Sequence, residues 1–395
     1  MYYNSFKGLE LSALGFGTMR LPLIPGGSGR DIDQEKLEEM VKYALEHGVN
    51  YFDTAVPYHE SMSETAVGKA LSKYPRESFF LATKYPGHQI SSSYNPEETF
   101  EEQLKNCAVD YFDFYLMHNI NENSVKTYLD PKWGIHDYFK AQKENGRIRH
   151  LGFSCHGDVP CMEEFLEVYG DVVEFCQIQL NYLDWTLQDA KSKCEFLNER
   201  KLPIWVMESV RGGKLAHFDE ETEAEMKAMN PDKSIASWGF RFLQGIEGVT
   251  VILSGMSSLE QMMDNVSTFE SPNPLNEEET AEVFKVAEKV KNSVPCTACR
   301  YCCDGCPMKL NIPRIISLYN DFKISSSINI AMRQDAMGES GMPSRCIGCG
   351  QCSAVCPQKI NVPELMVTMD AALKTIPSWA EVCRQREEAK RRSQH

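Results

Sequence analysis

Apolar, strand-like runs alternate with amphipathic runs along the first 295 residues. The strand-like runs are LSALGFGTM, NYFDTA, SFFLATK, DYFDFYLMH, IRHLGFS, FCQIQLN, PIWVME and VTVILSG. Between them lie runs with helical periodicity, such as DQEKLEEMVKYALEHG, PEETFEEQLKNCAV and HDYFKAQKENG. Eight strands that are each followed by a helix predict an α/β fold, the (β/α)8 or TIM barrel, for residues 1–294.

A doubly wound parallel sheet is the main alternative to the barrel. That fold would need a glycine-rich first turn, G-x-G-x-x-G, which leads directly into a helix. Only GFGTM is present, and the residues that follow it, RLPLIPGGSG, do not have a helical pattern. The sequence therefore favours the barrel, in which the working residues lie at the carboxyl ends of the strands.

The last hundred residues contain a cysteine repeat. CTACRYCCDGCP begins at residue 296 and CIGCGQCSAVCP begins at residue 346, and each contains the spacing C-x2-C-x2-C-x3-C-P. Zinc sites favour separated C-x2-C pairs. In this spacing, by contrast, the first three cysteines bind one cubane cluster and the fourth binds the other cluster. The repeat therefore predicts two [4Fe-4S] clusters in a domain that comprises residues 295–395.

This domain resembles a bacterial-type ferredoxin module. The resemblance implies two ligand sets, which are Cys296, Cys299, Cys302 and Cys356 for one cluster and Cys346, Cys349, Cys352 and Cys306 for the other. The runs IPRIISLYNDFK and VPELMVTMDAALK predict helices after each motif, so the domain is expected to be small and mainly helical. We interpret Cys303 as a spare thiol and residues 325–344 as a mobile linker or loop.

Charge is spread unevenly along the chain. The net charge is −15, with a balance of +4 in residues 296–395 and −19 in residues 1–295. An acidic body argues against nucleic acid as a partner, because binding to phosphates needs clustered Lys and Arg. The sequence shows no secretory signal and no apolar stretch of the roughly 20 residues that span a bilayer. We therefore expect a cytoplasmic protein without a membrane span, whose 15 cysteines are thiols or metal ligands.

Four chemically active side chains lie where predicted strands end. Asp53 ends one strand and Tyr58 follows five residues later, Lys84 ends the next strand, and His118 ends the one after that. In a parallel barrel these strand ends meet at one mouth. The sequence therefore brings a carboxylate, a phenol, an amine and an imidazole to one place.

With these residues at its strand ends, the chain resembles the aldo-keto reductase family, and the resemblance covers nearly all of residues 5–270. The segments GVNYFDTAVPYHESMSETAVGKAL, ATKYP, DFYLMH, GRIRHLGFS and SGMSSLEQMMDNV follow in the family's order. The resemblance implies that Asp53, Tyr58, Lys84 and His118 form the catalytic tetrad. Lys84 would favour the phenolate of Tyr58, His118 would polarise a carbonyl oxygen, and a nicotinamide dinucleotide would supply hydride.

The resemblance also implies a set of cofactor contacts. Ser154 and Gln177 would hold the nicotinamide carboxamide, and a loop from Ser209 to Leu215 would cover the pyrophosphate, with Arg211 as a charge partner. The full set of expected contacts is Gly17, Thr18, Met19, Asp53, Ser154, Gln177, Ser209, Arg211, Gly213, Leu215, Gly255, Met256, Ser257, Gln261 and Asn265.

The chain departs from the family pattern at four positions around the expected cofactor site. Cys155 stands where the family has Asn, and Glu208 replaces the aromatic residue that stacks on the nicotinamide in many members. Gly255 and Gln261 stand where many members have Lys and Arg for a 2′-phosphate. Without those two cations, the sequence favours NAD(H) over NADP(H).

Three functions remain open from the sequence. The first is a carbonyl or alcohol oxidoreductase whose clusters serve as an electron link, a sensor or a brace. The second is a ferredoxin-linked reductase, with a redox partner protein and a flavin that no sequence motif supports. The third is a non-enzymatic electron-transfer protein. Expected substrate-pocket residues are Met19, Arg20 (as a partner for a carboxylate), His59, Trp133 and residues 181–185.

Overall fold

The computed structural model describes residues 1–88, 94–291, 294, 296, 301–324, 328–356 and 359–393. The chain divides into two compact units, Met1–Val283 with Glu388–His395, and Phe284–Glu387. The division expected between residues 294 and 295 stays a prediction. Among the described residues, no helix is both long and apolar enough to cross a membrane.

The first unit is built on a closed barrel of eight parallel strands, which confirms the predicted fold. An antiparallel hairpin, β1 (Tyr3–Phe6) and β2 (Leu9–Ser12), precedes it. The barrel strands are β3 (Leu14–Gly17), β4 (Tyr51–Asp53), β5 (Phe80–Tyr85), β6 (Phe112–Ile120), β7 (Ile148–Cys155), β8 (Cys176–Gln179), β9 (Ile204–Met207) and β10 (Val249–Gly255). Strands β3 and β10 pair to close the barrel.

Helices follow the barrel strands, and side-chain caps mark where many of them begin. Asp33, Asn95 and Asp158 each accept a hydrogen bond from a backbone N–H of the first helical turn, which satisfies a group that otherwise has no partner. The helices are α1 (Gln34–Glu46), α2 (Ser63–Leu71), α3 (Pro96–Cys107), α4 (Val125–Leu129), α5 (Ile135–Glu144), α6 (Val159–Tyr169), α7 (Asp184–Leu187), α8 (Ala190–Glu199), α9 (Glu220–Met229), α10 (Ile235–Gln244), α11 (Leu259–Thr268) and α12 (Glu277–Lys291).

The barrel interior is apolar at its amino-terminal end. Phe6 from the hairpin packs edge-on against Trp205, with ring centroids 5.1 Å apart, and Phe114 and Phe175 complete a buried aromatic cluster. This packing fills the floor of the barrel, so the polar side chains of the strands gather at the carboxyl-terminal mouth.

The second unit repeats its own secondary structure. After α13 (Tyr301–Asp304), α14 (Ile312–Ile324) and α15 (Ile328–Ala336) come α16 (Gln351–Ala354), α17 (Val362–Leu373) and α18 (Trp379–Ser393). Helices α16 and α17 begin 50 residues after α13 and α14, which is the offset of the cysteine repeat. The two helices predicted from the sequence, α14 and α17, are confirmed.

The expectation of a mobile linker at residues 325–344 is wrong for the part that the structure describes. Helix α15 lies there, followed by two 3-10 turns, Gly338–Gly341 and Pro343–Arg345. Met332 is buried in a cluster with Trp379 and two further residues of α18. Ile330, Ala331 and Met332 of this segment are buried, and their packing stabilises the helix. Residues 325–327 lie outside the described part.

Candidate active site and iron-sulfur centres

The four predicted catalytic residues come together at the mouth of the barrel. Lys84 is fully buried, and its Nζ donates hydrogen bonds to Asp53 Oδ1 at 2.5 Å, to the carbonyl of Thr54 at 2.8 Å and to Tyr58 Oη at 3.2 Å. The ring of His118 lies edge-on to that of Tyr58, with centroids 6.1 Å apart. The ammonium therefore links the carboxylate to the phenol, and the imidazole stands beside the phenol.

Burial and charge act in opposite directions on the phenol and the ammonium. Burial raises the pKa of Tyr58 above its ordinary value, and the positive charge of Lys84 only partly opposes this. Burial lowers the pKa of Lys84, but Asp53 and Tyr58 outweigh burial and raise it overall. The expected effect of Lys84 on the phenolate is present, yet burial is larger, so Tyr58 is a protonated phenol beside an ammonium.

A strained turn presents Tyr58. The next three residues, His59, Glu60 and Ser61, all have positive φ, which is unfavourable for residues other than glycine. His59 holds the turn in place, because its Nε2 accepts a hydrogen bond from the N–H of Leu21 and its Nδ1 lies 2.9 Å from the carbonyl of Gly29. The sequence suggested His59 as a substrate-pocket residue, whereas here both ring nitrogens contact the backbone.

The backbone at the end of β6 is irregular where it carries His118. The pairing of β6 with β7 shifts register between Met117 and Ile120, and Asn119 has a φ of +60°. Such a bulge redirects the side chains of a strand. Tyr128 Oη lies within hydrogen-bond distance of two carbonyls, those of His118 at 2.7 Å and of Tyr85 at 3.0 Å, and so ties the ends of β5 and β6 together.

A second histidine, His88, lies beside His118 and was not predicted from the sequence. The two rings are 4.5 Å apart in an edge-to-face arrangement, and His88 is buried. A Cβ at Gly87 would come within 2.8 Å of the ring of Tyr128, so only glycine lets the chain pass there. A histidine four residues after Lys84 was the available signal, but a lone loop histidine does not by itself indicate a functional site.

A cleft of about 590 Å³ opens between the ends of β9 and β10. Seven of the expected cofactor contacts line it: Ser209, Gly213, Gly255, Met256, Ser257, Gln261 and Asn265. Residues outside the expected set of cofactor contacts also line it. They include Arg20 and Glu208, which the sequence singled out in other roles, and Lys227, which it did not. Lys227 lies in helix α9, the first helix after the expected pyrophosphate loop. This position in the chain was the only feature of the sequence that could have indicated Lys227 as a lining residue.

The other expected cofactor contacts lie outside the lining of this cleft. Arg211 is buried and donates from Nε to Asp184 Oδ2 at 3.2 Å, so it pairs with a carboxylate of the protein. Ser154 accepts a hydrogen bond from the N–H of Asn119. The remaining residues of this group are Gly17, Thr18, Met19, Asp53, Gln177 and Leu215.

Gln177 has a buried acceptor that is not satisfied. Its Nε2 lies 3.7 Å from Met207 Sδ, and its Oε1 has no hydrogen-bond partner among the described residues. A buried carbonyl oxygen without a partner is costly, and a ligand amide that entered the barrel mouth would satisfy it. This atom fits the expected carboxamide of a nicotinamide ring.

Arg20 crosses the cleft and approaches Glu208. Its Nη1 lies 3.9 Å from Glu208 Oε1, and its stem packs against Gly255. The sequence suggested Arg20 as a substrate contact, whereas the structure places it in the lining of the cleft. Trp133, another suggested pocket residue, packs edge-on against Tyr94 with centroids 4.9 Å apart.

In the second unit, four of the predicted cluster ligands line one cavity. These are Cys306, Cys346, Cys349 and Cys352, and apolar side chains that include Leu310, Ile312 and Met366 surround them. Among the described residues, they do not converge on the position of a single metal ion. A set of four thiols in an apolar cavity fits the predicted [4Fe-4S] cluster, including the crossed ligand Cys306.

The other predicted ligand set is only partly described. Cys302 is buried next to Cys296 and Cys303, while Cys356 is half-buried. Cys299 lies outside the described residues. The assignment of these four cysteines to one cluster therefore stays a prediction.

Both cysteine motifs end in the same backbone turn. The N–H of Lys309 donates to the carbonyl of Cys306 at 3.0 Å, and the N–H of Lys359 donates to that of Cys356 at the same distance. Both lysines have positive φ, 52° and 54°. Because this conformation is unfavourable for lysine, its recurrence indicates that both turns meet the same packing requirement.

Comparison with known proteins accounts for both units. Residues 13–301 match the model of the aldo/keto reductase family. The chain belongs to the aldo/keto reductase family. Residues 295–360 match the model of a 4Fe-4S dicluster domain, so this family member carries an iron–sulfur module after its barrel. The chain is therefore an oxidoreductase of this family with 4Fe-4S chemistry in its second unit.

Three curated relatives show how far the likeness extends. A probable aldo-keto reductase of Glycine max is 33% identical over 38% of this chain and 42% of its own length. L-galactose dehydrogenase of Arabidopsis thaliana is 25% identical over 72% of this chain and 93% of its own length. NADH-specific methylglyoxal reductase of Escherichia coli is 28% identical over 46% of this chain and 59% of its own length.

Solved structures share the fold. An aldo-keto reductase from Bacillus halodurans in its holo form is 24% identical, with a TM-score of 0.58 over 72% of this chain and 95% of its own. An aldo/keto reductase from Brucella melitensis is 22% identical, with a TM-score of 0.54 over 72% of this chain and 98% of its own. At these identities the likeness shows the fold alone.

The cavity lined by four cysteines generates the first prediction. Replacing Cys352 with Ala removes one of the four thiols, so we expect the iron content of anaerobically purified protein to fall by about half. Iron and acid-labile sulfide assays check this. Cys303→Ala is the matched control and should leave the iron content unchanged. Full iron in Cys352→Ala, or lost iron in Cys303→Ala, contradicts the ligand assignment.

Proposed function

We propose that the barrel interconverts a small carbonyl compound and its alcohol by hydride exchange with a nicotinamide dinucleotide. The observation that carries this proposal is the buried ammonium of Lys84, which bonds both Asp53 and Tyr58 at the barrel mouth. The bound nicotinamide would supply or accept the hydride, which no side chain can do.

Tyr58 would act as the general acid for carbonyl reduction. Its raised pKa keeps the phenol protonated at neutral pH, so a proton is available. When Tyr58 gives up this proton, the Lys84 ammonium 3.2 Å away stabilises the phenolate that forms. Asp53 holds the ammonium in place, and His118 would donate a hydrogen bond to the carbonyl oxygen.

The dinucleotide would lie in the cleft between β9 and β10. The free acceptor of Gln177 supports binding of the nicotinamide carboxamide at the barrel mouth. At the other end, Asn265 lines the cleft and donates to Ser254 Oγ at 3.0 Å, so its side chain is held in place. We propose these two residues, with Ser154 and Ser209, as contacts of the cofactor.

Tyr58→Phe tests the catalytic role. Without the hydroxyl no proton can be donated, so we expect kcat for carbonyl reduction to fall by about 10²- to 10⁴-fold while dinucleotide binding is retained. Steady-state kinetics and a fluorescence titration measure the two quantities. Tyr138→Phe is the matched control, because it removes a buried phenolic hydroxyl from helix α5, which carries none of the four proposed catalytic residues. Unchanged turnover in Tyr58→Phe contradicts the proposal.

The charges in the cleft support NAD(H) over NADP(H). Besides Gly255 and Gln261, the lining includes the acids Glu223, Glu260 and Asp264, and the cation Lys227 lies 3.7 Å from Glu223. Carboxylates repel a 2′-phosphate, whereas they accept hydrogen bonds from a ribose hydroxyl. The similarity to a reductase named as NADH-specific supports the same preference.

The cofactor preference is measured as kcat/KM for each dinucleotide. We expect NADH to exceed NADPH by roughly tenfold or more, because a phosphate without a cationic partner loses a charged hydrogen bond. Gln261→Arg adds one cation at an exposed position and should reduce the ratio of kcat/KM for NADH to kcat/KM for NADPH. A preference for NADPH in the wild-type protein contradicts this part of the proposal.

A second candidate function passes electrons between the clusters and the barrel site, with a redox partner protein as donor or acceptor. The four-cysteine cavity and the carboxylate of Glu208 at the expected stacking position both favour this function.

Anaerobic stopped-flow mixing of the protein with NADH tests this second function, with the flavin content measured beforehand. Bleaching of the cluster absorbance at rates that match kcat supports electron coupling. Intact carbonyl reduction without bleaching contradicts it and leaves the clusters as a sensor or a brace.

A further inference from the structure

Glu208 lies at the junction of the cleft and the catalytic residues. It directly follows β9 and has a φ of +58°, a strained conformation for a residue with a side chain. Its side chain is 20% exposed and lines the cleft. A strained residue at such a junction indicates that the position of the carboxylate matters for function.

The charge of Glu208 reaches the catalytic phenol. Glu208 directly follows β9 and Tyr58 follows β4, and the carboxyl ends of both strands meet at the mouth of the same barrel. The negative charge of Glu208 acts in the same direction as burial and raises the pKa of Tyr58. Under the proposed function, the hydride donor and Tyr58 act on the same carbonyl group. The nicotinamide ring must therefore bind beside Tyr58, and hence near the carboxylate of Glu208.

The cations near Glu208 do not fully neutralise its carboxylate. Arg20 is 3.9 Å away at the limit of an ion pair, and its side chain is 42% exposed, so water screens it. Arg211 is the other cation near Glu208, but it pairs with Asp184. Burial raises the pKa of Glu208, which means that its ionised form lacks full solvation or pairing. A cation that entered the cleft would stabilise this carboxylate.

We infer that Glu208 makes the cleft bind the oxidised, cationic nicotinamide ring more tightly than the neutral reduced ring. The inference rests on the proposed function. The two forms of the ring differ by one positive charge, and a partly desolvated carboxylate nearby favours the charged form. A stacking aromatic ring at this position would offer no full negative charge, so Glu208 is a specificity-determining residue of the site.

The test compares the Kd values of NAD⁺ and NADH for the full-length protein with its clusters. Direct titrations are done anaerobically without a carbonyl substrate, at pH 8, because burial raises the pKa of Glu208 and a higher pH favours its ionised form. We expect NAD⁺ to bind more tightly than NADH, and Glu208→Gln to reduce the ratio Kd(NADH)/Kd(NAD⁺) by about tenfold. Glu260→Gln is the matched control: it removes a carboxylate from another part of the same cleft and should change both Kd values alike.

A second variant keeps the test informative if Glu208→Gln folds poorly. Arg20→Gln removes the cation that partly neutralises Glu208, so it should raise the same ratio. An unchanged ratio in both Glu208→Gln and Arg20→Gln overturns the inference, even when both dinucleotides bind. If neither NAD⁺ nor NADH binds to the wild-type protein, the proposed function itself fails.

Discussion

The buried ion pair between Lys84 and Asp53 is the interaction on which the proposed active site depends. Removing two charges from water costs several kcal/mol per ion, and this cost is offset only when the partners are close and fully hydrogen-bonded. Lys84 meets this condition, because Nζ makes bonds to Asp53, to the carbonyl of Thr54 and to Tyr58. Asp53 meets it only in part, because its Oδ2 is buried without a hydrogen-bond partner among the described residues. The pair exists because β4 and β5 are neighbours, with Asp53 opposite Ala82, two residues before Lys84.

Hydrogen bonds of neighbouring residues hold the backbone around this ion pair in place. The turn after Tyr58 adopts three successive left-handed residues, and His59 stabilises it through two backbone contacts. Tyr128 ties together the strand ends that carry Lys84 and His118. Strain in the turn and the bulge in β6 are thus opposed by hydrogen bonds of the half-buried His59 and the buried Tyr128. A barrel mouth built this way holds the phenol and the imidazole in fixed positions, as the proposed acid–base chemistry requires.

The cysteine module follows a simpler principle, which is the repetition of one local structure. The same turn, with the same positive φ at lysine, closes both motifs, and the same helix follows each one. Repetition explains how four thiols from two separated motifs line one cavity, because Cys306 crosses from the first motif to the second. The ligand spacing along the chain therefore contains most of the information about the site.

The sequence by itself determined the barrel, the cysteine motifs and the four residues of the proposed tetrad as candidates, because each is encoded in a local pattern: strand runs, fixed thiol spacing and residues at strand ends. Tertiary structure decided which side chain pairs with which. Arg211 was expected at the pyrophosphate but pairs with Asp184, Arg20 reaches Glu208, and α15 forms where a linker was expected. These outcomes depend on contacts between distant segments and on competition among nearby charges, and neither leaves a periodic signal in the chain.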